Sequence, residues 1–141
     1  MNAARWMAMG LLLARIEGRS VTVAAAGMPP GWVHRQGSGV VEEVALEGVP
    51  LGSALSSRYS ERRFALGPGD TLLLMTDGLP ELASPDGEPY GYTRVRQLIE
   101  AHAGGHPDDL IRTLAEASEA WSGGAAPDDD MTFVALRVRP D

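Results

Sequence analysis

The chain of 141 residues contains no cysteine. That excludes disulfides, thiolate metal ligands and a cysteine nucleophile, and with them every cysteine-based hydrolytic mechanism. It also fits a reducing cytoplasm. Basic residues are scarce beside acidic ones, 12 Lys and Arg against 19 Asp and Glu, for a net charge of -7. Nucleic acids and anionic membranes are bound mainly by neutralising phosphates with Lys and Arg, so neither is an expected partner. No apolar run approaches the roughly 20 residues of a spanning helix. The longest near the start, Trp6 to Ala14, has signal-peptide length and precedes Ala24-Ala25-Ala26. Arg15, Glu17 and Arg19 interrupt it before those alanines, and a core strand explains it better. Histidine pairs at ligand spacing are missing too: His34, His102 and His106 are scattered, with no i, i+4 pair on a helix. His102 reads as a packed residue on a helix face and His106 as a helix-start residue. Trp6, Trp32 and Trp121 read as core packing.

What is present is a pair of aspartates at strand ends. Asp77 follows the apolar run Leu72-Leu73-Leu74-Met75 in Thr76-Asp77-Gly78, and Asp129 lies in Asp128-Asp129-Asp130 just before Met131-Thr132-Phe133-Val134-Ala135-Leu136. Two hard oxygen ligands brought together from distant positions suit Mg²⁺ or Mn²⁺. Each has a plainer reading. Asp-Gly between apolar runs is a hairpin signal, because both central positions of a type I′ turn need positive φ. Pro127 and three aspartates also describe a solvated, self-repelling loop.

The surrounding text tilts the balance. Residues 69–82 and 127–134, together with Ala25-Ala26-Gly27-Met28-Pro29-Pro30, Val49-Pro50-Leu51-Gly52 and Gly87-Glu88-Pro89-Tyr90-Gly91-Tyr92, resemble, in order, elements of the PPM-type protein phosphatases. The match is to the bacterial branch of sporulation and stress-response serine phosphatases, over about Met9 to Arg137. One hallmark is missing. Relatives carry an N-terminal Asp-(Ala or Val)-x-Gly-His-Gly type segment whose aspartate bridges two metal ions, and nothing upstream of Gly10 resembles it.

The resemblance implies an α+β fold, the PP2C-like antiparallel β-sandwich flanked by helices, of which residues 1–141 would form only the C-terminal half to two-thirds. It implies hydrolysis of phosphoserine or phosphothreonine in a protein by a binuclear Mg²⁺ or Mn²⁺ site. Asp77 and Asp129 would ligate one ion, Gly78 would permit the turn that aims Asp77, and Asp130 and Asp128 would at most support them. The substrate class implied is a phosphorylated regulator in bacterial signalling, such as an antagonist of an anti-sigma factor. The alternative is a catalytically incomplete remnant or binding module of the same fold. A site-free structural β-protein would leave the ordered motifs as coincidence. Half a sandwich exposes apolar sheet surface and strand edges, so a homo-oligomer, a complementing N-terminal half or a sensor domain is an expected partner.

Pattern alone predicts the elements. Strands are expected at Met7 to Ile16 and Ser20 to Ala26 around the hairpin Glu17-Gly18-Arg19. Others fall at Trp32 to Arg35 and Val40 to Leu46 around Gln36-Gly37-Ser38-Gly39, and at Tyr59 to Leu66 and Thr71 to Thr76 around Gly67-Pro68-Gly69-Asp70. The unbroken Leu72 to Met75 run implies a strand buried on both faces. Val95, Leu98, Ile99 and His102 give a helix from about Tyr92 to His102. A second begins at Pro107, carries Leu110, Ile111, Leu114, Ala117 and Trp121 on one face, and ends at Gly123-Gly124. A last strand spans Met131 to Leu136. Glu81 and Glu88 follow Asp77 in a loop that forms a flap in relatives and read as surface.

Overall fold

The computed structural model describes residues 7–53 and 58–140, so Trp6 lies outside the described residues. The chain divides into two compact units, residues 1–29 with 45–65, and residues 30–44 with 66–141.

The first unit is an antiparallel sheet of three strands in the order β1-β2-β5: β1 (Leu11–Glu17), β2 (Ser20–Ala26) and β5 (Glu61–Ala65). Glu17 pairs with Ser20 across a two-residue turn. Gly18 takes φ 61 and Arg19 stays negative, which is the glycine-first geometry of a type II′ hairpin. Val21, Val23 and Ala25 alternate inward along β2 and are buried. The first strand begins at Leu11 rather than Met7, because its partner is lost where Gly27, at φ 61, turns β2 away after Ala26. Met9 retains only an isolated bridge to Leu51. β1 is an edge strand, with Leu11 37%, Leu13 60% and Ile16 51% exposed. Such an edge is the expected mark of an unpaired sheet.

The second unit is an antiparallel sheet in the order β4-β3-β6-β7 with two helices. Its strands are β3 (Gly31–His34), β4 (Val41–Val44), β6 (Thr71–Met75) and β7 (Phe133–Arg137), and its helices α1 (Tyr92–His102) and α2 (Pro107–Ser122). β6 is an interior strand. Leu72 and Leu73 point to opposite faces and both are 0% exposed, so both faces are buried as the run implied. Leu73, Met75, Leu79, Val95, Ile99, Leu110 and Leu114 share one core with Trp32. Each such side chain contributes about 1.5–3 kcal/mol on burial. His102 does not belong to it. The inward stripe of α1 runs through Val95, Ile99 and Ala103 in steps of four, and His102 is turned off it into solvent. His106 caps α2, its Nδ1 accepting from the Asp108 amide at 3.2 Å, with Pro107 in the first turn and Gly123 at φ 64 closing the helix. Among the described residues no helix is long and apolar enough to cross a membrane.

The turn before β6 is built around Asp70. One carboxylate oxygen accepts from the Gly67 amide at 2.8 Å and from Arg35 Nη1 at 2.8 Å, the other from the Gln36 amide at 2.9 Å. Burial alone would push Asp70 up. The Arg35 guanidinium and the Gly67 and Gln36 amides outweigh it and hold the carboxyl below its ordinary value. A depressed folded pKa stabilises the native state above the unfolded value near 3.9, and the benefit is lost as pH falls through the lower folded value. Asp70→Asn is therefore expected to cost about 1–3 kcal/mol at neutral pH, with the gap to the parent closing below about pH 4. Urea denaturation of both proteins from pH 7 to pH 3 measures this, and a gap independent of pH would contradict it.

Candidate metal centre

Asp77 stands just beyond β6, and its neighbours explain how it is held. The β6–β7 ladder pairs Met75 with Phe133. Pairing then continues past both strand ends: the Thr76 amide donates to the Thr132 carbonyl at 3.1 Å. The Thr76 hydroxyl accepts from the Thr132 amide at 2.9 Å and donates to the Asp130 carbonyl at 3.2 Å. These bonds start β7 at Phe133 rather than Met131, with Met131 and Thr132 serving as a strap across the end of β6. Asp77 and the 128–130 triplet thus emerge at the same end of one strand pair.

The Asp77-Gly78 step is not a type I′ hairpin turn, since neither residue has positive φ. The chain instead enters a helical turn, with the Glu81 amide donating to the Asp77 carbonyl at 3.0 Å and the Leu82 amide to Leu79 at 3.1 Å. Gly78 is required for a different reason from the one its sequence context suggests. A Cβ there would lie 2.5 Å from the Asp130 carbonyl oxygen and 2.6 Å from Met131 Cγ. The absent side chain admits the aspartate-bearing strap.

A cavity of about 110 Å³ opens here, lined by Gly78, Glu81, Leu82, Ala83, Asp128 and Asp129. Asp77 is half-buried and one residue from that lining, while Asp128, Asp129 and Asp130 are exposed. Asp129 Oδ1 accepts from the Asp130 amide at 2.8 Å, which constrains its orientation. Among the described residues no three His, Asp or Glu side chains converge into a metal-holding group. Asp77 and Asp129 have donor chemistry that suits a hard divalent cation. Two carboxylates fit part of such a site, and further ligands must complete it.

Three residues have a place here that their sequence context does not indicate, Glu81 among them although its loop position suggests plain surface. Glu81 lines the cavity. Thr76 ties the two aspartate segments together, as above. Tyr92 is the third: burial, then the charges of Asp77, Glu81 and Glu43, push its phenol above the ordinary value. The loop between Asp77 and α1 is pinned at several points. Tyr90 and Gly91 amides donate to Leu82 and Pro80 carbonyls, both at 2.9 Å. Trp121 Nε1 donates to the Glu88 carbonyl at 3.0 Å, and Arg94 Nη2 meets Glu88 at 2.7 Å with its guanidinium 4.4 Å above the Trp121 ring. Glu88 is therefore part of the structure of the flap rather than plain surface.

Comparisons with known proteins agree on one group. The profile of stage II sporulation protein E matches residues 1–139. No curated protein sequence matches the chain. Among solved structures, the SiaA PP2C domain of Pseudomonas aeruginosa superposes with a TM-score of 0.73 at 23% identity, covering 91% of this chain and 50% of that one. The phosphatase domain of the cell fate determinant SpoIIE from Bacillus subtilis, presoaked with Mn, gives 0.72 at 20%, covering 94% and 57%. The RsbU and RsbW domains of a Mycobacterium tuberculosis protein give 0.64 at 25%, covering 87% and 34%. The fold is PP2C-like, and the chain spans about half the length of the first two.

Proposed function

Because the chain belongs to the stage II sporulation protein E family of PP2C-type phosphatases, we propose that it is the C-terminal part of a phosphatase domain. It supplies Asp77 and Asp129 to a divalent-metal site that hydrolyses phosphoserine or phosphothreonine in a regulatory protein. The observation that carries this reading is the Thr76 and Gly78 geometry, which presents two acidic segments at one strand-pair end. Asp77 and Asp129 would hold one Mn²⁺ or Mg²⁺. The bound ions supply Lewis-acid activation of water and neutralisation of phosphoryl charge. The chain's own part is to present two carboxylates just beyond the paired ends of β6 and β7, with Gly78 and Thr76 setting their spacing and Asp128 and Asp130 contributing negative charge around them. A phosphorylated antagonist of an anti-sigma factor is the kind of substrate this reading favours, in the cytoplasm.

The second reading is a catalytically incomplete binding module. It draws on the absence of a third converging ligand among the described residues. One experiment separates the two. The chain alone should bind Mn²⁺ weakly and hydrolyse a generic phosphate ester slowly or not at all. Adding an upstream half that carries the bridging aspartate should restore Mn²⁺-dependent release of phosphate from a phosphoserine peptide. Failure of restoration in a complex that demonstrably forms would favour the binding module.

A further inference from the structure

The structure assigns the outer edge of β1 to a second copy of this chain, with β1 pairing antiparallel to β1 about a two-fold axis at Ala14. The two-residue hairpin fixes which backbone groups face that edge. Its closing pair, Glu17 with Ser20, is hydrogen-bonded. The alternation of an antiparallel ladder then makes Arg15–Thr22, Leu13–Ala24 and Leu11–Ala26 the other hydrogen-bonded pairs. The N–H and C=O groups of Leu12, Ala14 and Ile16 therefore point away from β2. Among the described residues no strand lies beyond β1 and no hydrogen bond meets those groups. Natural sheets guard such an edge with lysine, proline or a bulge. β1 reads Leu-Leu-Leu-Ala-Arg-Ile-Glu and keeps unbroken register with β2 along its whole length, so it has none of these. Its two charges, Arg15 and Glu17, project from one face and meet each other at 3.4 Å. The other face of the strand carries only Leu12, Ala14 and Ile16, and Ile16 is left exposed.

This edge is complementary to itself. With Ala14 opposite Ala14 of the second copy, Leu12 falls opposite Ile16 and Ile16 opposite Leu12. Every outward N–H and C=O then meets its counterpart, and the cross-strand pairs on that face are all apolar. A slip of one residue would set outward groups against inward ones. A slip of two would bring Gly10 or the hairpin residue Gly18 opposite the strand and leave groups unmet. A second copy presents the same groups in the same order, which is what a two-fold interface requires. Seven residues a side is well under the roughly 20–30 of a standard interface, so the association is expected to be weak and to grow with concentration. Nothing in this pairing involves Asp77 or Asp129, and it stands independently of the metal site.

Sedimentation of the full chain over a concentration series measures the association, and amide exchange at Leu12, Ala14 and Ile16 locates it. Expected are dimers whose share rises with concentration, with exchange at those amides slowing as they form. Ala14→Pro removes one outward N–H from each copy. Proline is tolerated on the solvent side of an edge strand, so the fold should hold by circular dichroism while association weakens by about tenfold or more. Register is read from charge at the same exposed position. Ala14→Lys and Ala14→Asp each set like charges opposite one another across the axis and should lower self-association, and mixing the two variants should restore dimers. A chain that stays monomeric throughout the series, dimers indifferent to Ala14→Pro, or no recovery on mixing would overturn the proposal. So would a monomer whose β1 amides slow only when the upstream half is added, which would give the edge to that half.

Discussion

Asp77→Asn and Asp129→Asn are each expected to lower Mn²⁺-dependent phosphatase activity of the complemented domain by about a thousandfold or more, the equivalent of several kcal/mol of transition-state stabilisation. The amide keeps the size of the carboxylate and one oxygen but loses the charge that a hard cation selects. Folding should be untouched, because neither carboxylate accepts a bond that holds β6 or β7. The strap depends on Thr76 and on backbone groups of Asp130 and Thr132. Phosphate release from a phosphoserine peptide, with circular dichroism as the fold control, measures both halves of the statement. Activity that survives Asp77→Asn would remove Asp77 from the ligand set, and a binding module would keep its partner through both changes.

Gly78→Ala is expected to destabilise the protein by about 1–3 kcal/mol, the usual cost of overpacking, and to weaken Mn²⁺ binding at the same time. The added methyl would meet the Asp130 carbonyl at 2.5 Å and Met131 Cγ at 2.6 Å. The side chain of Met131 can shift, whereas the Asp130 carbonyl is tied to Thr76 Oγ1 and moves only by dragging the 128–130 triplet away from Asp77. Backbone strain plays no part, since Gly78 is not at positive φ. That separates it from Gly87, at φ 83 with nothing within 4 Å, where alanine would be strained without any clash. Guanidinium unfolding and Mn²⁺ titration of the same preparation should show the two losses together. A neutral Gly78→Ala would mean that the strap does not cross the turn.

Much of this arrangement was legible in the chain. Helix α1 has the expected bounds, and α2 starts at Pro107 and stops at Gly123, because proline and glycine punctuate helices through their own φ preferences. The interior position of β6 followed from four consecutive apolar residues. Strand ends were less legible. Where β1 and β7 begin depends on what the partner does: Gly27 turns β2 away, and Thr76 takes up Thr132 across the sheet. His102 was misplaced because i+7 on an ideal stripe differs from the i+4 steps through Val95, Ile99 and Ala103 that the core selects. Gly78 was readable as indispensable but not why, since a close approach from residues 130 and 131 has no local signature. The surroundings of Tyr92 have no local signature for the same reason, since Asp77 and Glu81 come from one turn and Glu43 from β4.

The central claim is that Asp77 and Asp129 share one cation, and the direct measurement is anomalous diffraction at the manganese edge from crystals of the chain, or of its complemented domain, soaked in Mn²⁺. The account expects a manganese peak between the two residues with an oxygen of each within about 2.0–2.6 Å, and the two carboxylates within about 5 Å of one another. A peak elsewhere, or Asp77 and Asp129 directed away from each other with no ion between them, would contradict it.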